Sequence, residues 1–118
     1  SDFVSLHCAA TPETRHILGR EALAAMSPSA YVINTARGDV VDEDALVAAL
    51  ESGAIGGVGL DVFQGEPKVN PAIMAAPNTV LLPHLGSATE ETRVAMGMKV
   101  VENARAFAMG EVLPDKVG

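Results

Sequence analysis

The chain has 118 residues, enough for one modest domain or half of a larger one, and its 48% hydrophobic content can support a core. Only 3% of residues are aromatic, so that core must be aliphatic and alanine-rich. A formal net charge of −7 without a basic cluster makes nucleic acid and anionic membranes poor partners.

One cysteine, Cys8, excludes an internal disulfide and fits a reducing cytosol. No apolar run reaches the roughly 18 residues of a membrane span, and no basic-then-apolar leader is present. The chain opens at SDFVSLH, already inside a strand pattern, so it is expected to be a piece of a longer protein.

Phe3–His7 reads as a first, short apolar strand, followed by a Thr/Pro segment at 10–14. Arg20–Met26 reads as a short helix stopped by Pro28. Tyr31–Asn34, with Val32 and Ile33, reads as a buried strand. Asp42 then caps a helix from about Glu43 to Ser52. Leu46, Val47 and Leu50 form its apolar stripe, and Gly53 occupies the place of a C-terminal glycine cap. Gly57–Val62 is a third strand whose glycines suggest close backbone packing. A long Pro-rich connection spans 65–78, and Thr79–Leu82 is a fourth strand. Ser87 and Glu90 have capping-box spacing and open a long helix to about Met109. Val94, Met98, Val101 and Phe107 recur along it at roughly helical spacing. The tail Val112–Gly118 is irregular.

Apolar strands alternating with helices imply an α/β fold with a parallel sheet covered on both faces. Ligands of such sheets bind beyond the carboxyl ends of the strands. Three strings place a chemically capable side chain there: NTARG (34–38) gives Arg37, LDVFQGEP (60–67) gives Glu66, and LPHLGSAT (82–89) gives His84. A guanidinium fork grips a carboxylate with two bonds. The plainer alternative is that Arg37 pairs with Asp39 or Asp42 on the surface. A histidine moves a proton near neutral pH, and Glu66 could orient His84 and favour its charged form. The alternative is that Glu66 and His84 never meet. Asp61, closing the third strand, is a turn cap or an acceptor for a ligand amide. His7 and His16 read as structural or solvated, and Cys8 as a small lining residue. No His/Cys/Asp spacing suggests a metal site. No G-x-G-x-x-G follows a strand, so the phosphate-cradling part of a nucleotide site is not in this stretch.

Together, SLHCAATPETRHIL, NTARGDVVDEDAL, GVGLDVFQGEP and PHLGSAT resemble the D-isomer-specific 2-hydroxyacid dehydrogenase family, in order and over essentially the whole chain. The resemblance implies half of a doubly wound, Rossmann-like nucleotide-binding domain. Residues 1–110 would form the C-terminal part of that NAD(P)-binding domain, and 111–118 the tail leading back toward a separate substrate domain. It implies that Arg37 binds the substrate carboxylate, that His84 is the acid/base, and that Glu66 is its partner. It implies that Asp61 contacts the nicotinamide carboxamide, and that Cys8, Thr35, Ala36, Gly86 and Ser87 lie along the cofactor with Arg37 and His84. Glu66 separates the chain from the similar formate dehydrogenase branch, which carries glutamine there. The implied reaction is hydride transfer between NAD or NADP and a small 2-keto or 2-hydroxy acid, glyoxylate or hydroxypyruvate favoured. The implied setting is a cytoplasmic homo-oligomer, with this stretch alone inactive and swapped or edge-paired. Two rivals remain: a dinucleotide-sensing corepressor of the same fold, and a remnant without function of its own.

Overall fold

The structure, a computed structural model, describes residues 1–117; of the expected irregular tail, only Gly118 lies outside the described residues. Two compact units follow one another, Ser1–His84 and the stretch from Leu85 onward.

The first unit is built on strands β1 (Phe3–Leu6), β2 (Tyr31–Asn34), β3 (Gly57–Leu60) and β4 (Thr79–Leu81). They form one parallel sheet in the order β1-β2-β3-β4. Helix α1 (Arg20–Ala24), helix α2 (Glu43–Glu51) and helix α3 (Pro71–Ala75) connect successive strands. Leu23 of α1, Leu46 of α2 and Ile73 of α3 join Val32, Val58 and Leu60 in a single buried cluster. All three helices therefore cover the same sheet face.

The opposite face is bare within this unit: Phe3 is 66% exposed, Tyr31 43% and Val80 64%. The expectation of a sheet covered on both faces fails here for a topological reason. Right-handed crossovers between strands laid down in one direction all pass on one side. Covering the second face requires strands that wind the other way from the switch point of a doubly wound sheet. The close backbone approach expected at the glycines of β3 is present at Gly57, where a neighbouring ring also crowds the position. A Cβ on Gly57 would lie 2.6 Å from the Asn78 carbonyl oxygen and 2.9 Å from the Tyr31 ring.

Helix α2 forms as its sequence directs. Asp42 accepts a hydrogen bond from the Ala45 N–H at 3.1 Å, and Gly53 adopts φ +69° just past the last turn. Leu46, Val47 and Leu50 are buried. Helix α3 was expected to be loop. Pro71 is in fact its first residue, where the missing N–H costs nothing, and the Asn70 side chain caps it by accepting from the Ala72 N–H.

The second unit carries helix α4 (Glu90–Met109). Its cap is Thr89, which accepts from the Thr92 N–H at 3.2 Å, and not Ser87 as the capping-box spacing suggested. Gly110, at φ +70°, ends it. Val94, Met98, Val101 and Phe107 are all more than half exposed. The following tail has no regular structure, but Asn103 donates to the Asp115 carboxylate at 2.8 Å and ties it to α4.

Candidate active site

Four loops leave the carboxyl ends of the strands, and the polar side chains singled out from the sequence sit on them. After β1 come His7 and half-buried Cys8. They line an open groove of about 540 Å³ with Ala9, Ala10, Thr35, Ala36 and Arg37. Small side chains on two adjacent strand ends make the room.

The loop after β2 is shaped by Asn34, a residue that sequence reasoning passed over. Asn34 is 1% exposed. Its Oδ1 accepts from the Ala36 N–H at 3.0 Å, and its Nδ2 donates to the Arg37 carbonyl at 2.9 Å. One buried amide thus satisfies both directions of a tight turn, the reason asparagine suits such positions. Its signal was present in the sequence: a polar residue ending an apolar strand. Arg37 donates from Nη1 to the Ala36 carbonyl at 2.7 Å. It does not take the surface pairing considered for it. Asp39 is held by Arg15 at 3.5 Å, and Asp42 caps α2.

Gly38 follows, and it is buried. A Cβ there would collide with the backbone of Phe63 and Gln64. The arginine loop and the loop after β3 therefore meet backbone to backbone at this point.

The loop after β3 begins at Asp61, 6% exposed, whose N–H donates to the Asn34 carbonyl at 3.0 Å. Asp61 and Thr35 also border an apolar groove of about 340 Å³ on the bare sheet face, with Tyr31, Ile33 and Val80. Further along, Glu66 uses both carboxylate oxygens. Oε1 accepts from the Phe63 N–H at 2.9 Å, and Oε2 meets His84 Nδ1 at 2.8 Å. These contacts hold the Glu66 carboxyl below its ordinary pKa, the His84 hydrogen bond first and the Phe63 N–H second. The Arg37 charge adds a smaller effect in the same direction.

His84 lies just past β4, after Pro83, with φ 56°. A left-handed backbone at a histidine costs energy that its surroundings must offset, and such positions concentrate at functional sites. With Nδ1 turned to Glu66, Nε2 is the nitrogen left to act outward. The sequence thus names two groups 18 positions apart, and the fold joins them. Gly86 and Ser87 belong to the second unit, in the turn before α4. His7 bonds Ser5 at 2.8 Å, and His16 bonds Gln64 at 2.6 Å, in keeping with structural roles. Among the described residues no cluster of His, Cys, Asp and Glu could hold a metal ion. Among the same residues no helix is long and apolar enough to cross a membrane.

Comparison with known proteins gives a consistent picture. The family model described as "D-isomer specific 2-hydroxyacid dehydrogenase, NAD binding domain" matches residues 1–86. A glyoxylate reductase of Thermococcus litoralis is 50% identical over 117 residues, covering 99% of this chain and 35% of that protein. Glyoxylate/hydroxypyruvate reductase B of Pectobacterium carotovorum is 53% identical over 113 residues, covering 95% and 35%. Among solved structures, an NADPH-dependent glyoxylate/hydroxypyruvate reductase from Sinorhizobium meliloti, in complex with NADP and malonate, superposes with a TM-score of 0.88. It is 44% identical, over 95% of this chain and 35% of that one. D-lactate dehydrogenase with NAD+ from Lactobacillus jensenii also gives 0.88, at 30% identity over 100% of this chain and 40% of that one. The chain spans about a third of the length of the curated relatives it matches.

Proposed function

The chain belongs to the D-isomer-specific 2-hydroxyacid dehydrogenase family, and from that premise we propose that it is part of an NAD(P)-dependent reductase of small 2-keto acids. Glyoxylate and hydroxypyruvate are the favoured substrates, because reductases of those acids are about half identical to it. Residues 1–110 act as the C-terminal part of the cofactor domain, and the tail after 110 leads back toward a substrate domain. The parent protein works in the cytoplasm as a homo-oligomer.

The observation that carries this reading is the 2.8 Å contact between Glu66 and His84 Nδ1, beside an arginine that no carboxylate among the described residues claims within ion-pair distance. A nicotinamide cofactor, when bound, supplies the hydride. The groove lined by Cys8, Thr35 and Ala36 fits such a group, because small side chains leave space beyond the strand ends. Asp61 is assigned to its carboxamide, and Gly86 and Ser87 to its neighbourhood.

Arg37 binds the carboxylate of the keto acid with two parallel bonds and draws charge from the keto oxygen. His84 donates a proton from Nε2 to that oxygen as the alcohol forms. Glu66 fixes the ring through Nδ1, which leaves Nε2 to face the keto oxygen. In the reverse direction neutral Nε2 takes the hydroxyl proton.

The test uses the full-length protein. Arg37→Lys keeps the charge but loses the fork, so KM for the keto acid should rise about tenfold or more with cofactor affinity little changed. His84→Gln should lower kcat about a hundredfold or more, the scale of general-acid catalysis. Unchanged keto-acid kinetics in Arg37→Lys would exclude the substrate role given to it.

A further inference from the structure

The pair Glu66 and His84 is only as well placed as the loop that carries Glu66, and that loop is anchored from an unexpected direction. Glu43, on the first turn of α2, is 6% exposed. Its Oε1 accepts from the Gln64 N–H at 2.7 Å, across 21 positions of sequence. A carboxylate at a helix N-terminus is favoured by the helix dipole, which helps offset its burial. Gln64 adds its side chain: Nε2 donates to the Val41 carbonyl at 2.9 Å and meets His16 Nε2 at 2.6 Å. One residue before Gln64, the Phe63 N–H is the donor to Glu66 Oε1. The backbone therefore hands the Phe63 amide to Glu66 and the next, that of Gln64, to Glu43.

We propose that Glu43 is a positioning residue for the Glu66–His84 pair: by clamping the Gln64 amide, it fixes the loop that aims the Glu66 carboxylate at His84 Nδ1. Gln64 completes the clamp through Val41 and His16. Neither residue touches the reacting atoms. The catalytic consequence rests on the function proposed above, whereas the positioning itself does not.

The experiment compares Glu43→Ala, Glu43→Gln and Gln64→Ala in the full-length protein. Backbone amide exchange is read over 61–67 and, as control, over β2, together with the carbon-13 titration of the Glu66 carboxyl. In Glu43→Ala, exchange over 61–67 should accelerate about tenfold or more while β2 stays protected. Glu66 should then titrate nearer its ordinary value, and keto-acid kcat should fall about tenfold with cofactor affinity held. Glu43→Gln keeps an oxygen acceptor at the same reach and should recover most of each loss. Wild-type exchange over 61–67 in Glu43→Ala overturns the proposal, and so does loosened exchange with unaltered Glu66 titration. Should Glu43→Ala not fold, Gln64→Ala decides: it must loosen 61–67 in the same sense, and wild-type exchange there overturns the clamp. Loosened exchange and a moved titration in a protein that reduces no keto acid even as wild type would refute the proposed function and leave the positioning standing.

Discussion

Gly38→Ala tests the idea that the arginine loop and the Glu66 loop are in backbone contact. The added methyl would meet the carbonyl carbon and oxygen of Phe63 and the nitrogen of Gln64. None of these atoms belongs to a side chain that could swing away. Ordinary contact between carbons is near 3.5 Å, so the two loops would have to part by more than about 1 Å. Phe63 and Gln64 are also bound through their amides to Glu66 and Glu43, so parting them strains two hydrogen bonds. Overpacking of this kind costs about 3 kcal/mol, the upper part of the usual range. At roughly 4 °C of melting temperature per kcal/mol for a chain of this size, Gly38→Ala should melt about 10 °C below wild type. Gly53→Ala is the control. Gly53 has φ +69° and nothing within 4 Å of a Cβ, so it pays only the left-handed penalty, about 1 kcal/mol. Circular dichroism melts at one fixed protein concentration give both values. A Gly38→Ala protein as stable as Gly53→Ala would refute the close approach and with it the tie between the two loops.

The Glu66 carboxyl should titrate below its ordinary value, and His84→Ala should move it upward, because the His84 hydrogen bond is the larger cause of the depression. A depressed folded value means the contact contributes stability above the unfolded carboxyl's pKa and loses it as pH falls through the folded one; with Glu66 35% exposed, that contribution should stay under about 1 kcal/mol. Carbon-13 NMR checks the first statement, and an unmoved midpoint in His84→Ala would count against it. The 118-residue stretch alone should show no nicotinamide oxidation with glyoxylate or hydroxypyruvate above buffer, since it has no G-x-G-x-x-G phosphate loop after a strand; robust turnover would refute this. It should also associate, because β1 is an edge strand next to a bare apolar face bearing Phe3 and Tyr31. Sedimentation equilibrium at micromolar concentration would contradict that by returning a clean monomer.

What the sequence revealed follows from the range of the forces involved. Tyr31–Asn34 forms a strand with the expected bounds, because Val32 and Ile33 are β-branched and the turn residues beyond Asn34 end the run. Asp42 caps α2 as expected, since a cap needs only the next three residues. Helix α3 escaped notice because proline signals both loop and helix start, and only the Asn70 cap distinguishes them. Thr89 displaced Ser87 as the cap of α4, because three candidate hydroxyl caps lie within six positions (Ser87, Thr89 and Thr92) and spacing alone does not choose between them. The clamp of Glu43, Gln64 and His16 was illegible for a stronger reason. Its partners stand 21 and 48 positions apart, and no local pattern marks an acid at the start of a helix as a buried acceptor.

The same winding that hid this clamp also explains where the candidate site sits. Four parallel strands in sequential order send every crossover helix to one face and every strand exit to one end. Each exit loop begins where ladder hydrogen bonding stops, so its amides need new partners. Asn34 takes the Ala36 amide, Glu43 takes that of Gln64, and Glu66 takes that of Phe63. Two of these three acceptors, Asn34 and Glu43, are almost wholly buried and hold loops in place. The third, Glu66, stays partly exposed and has a second oxygen to spare for His84. Exposure therefore separates the acceptor that can act on a titrating partner from those that only build the frame. On this argument Asn34→Ala should harm stability before chemistry, because it orphans the Ala36 amide and frees the Arg37 carbonyl together, at a cost of about 2 kcal/mol. A thermal melt of Asn34→Ala within a degree or two of wild type would show that the arginine loop holds its shape without that amide, and the division between frame and chemistry would have to be abandoned.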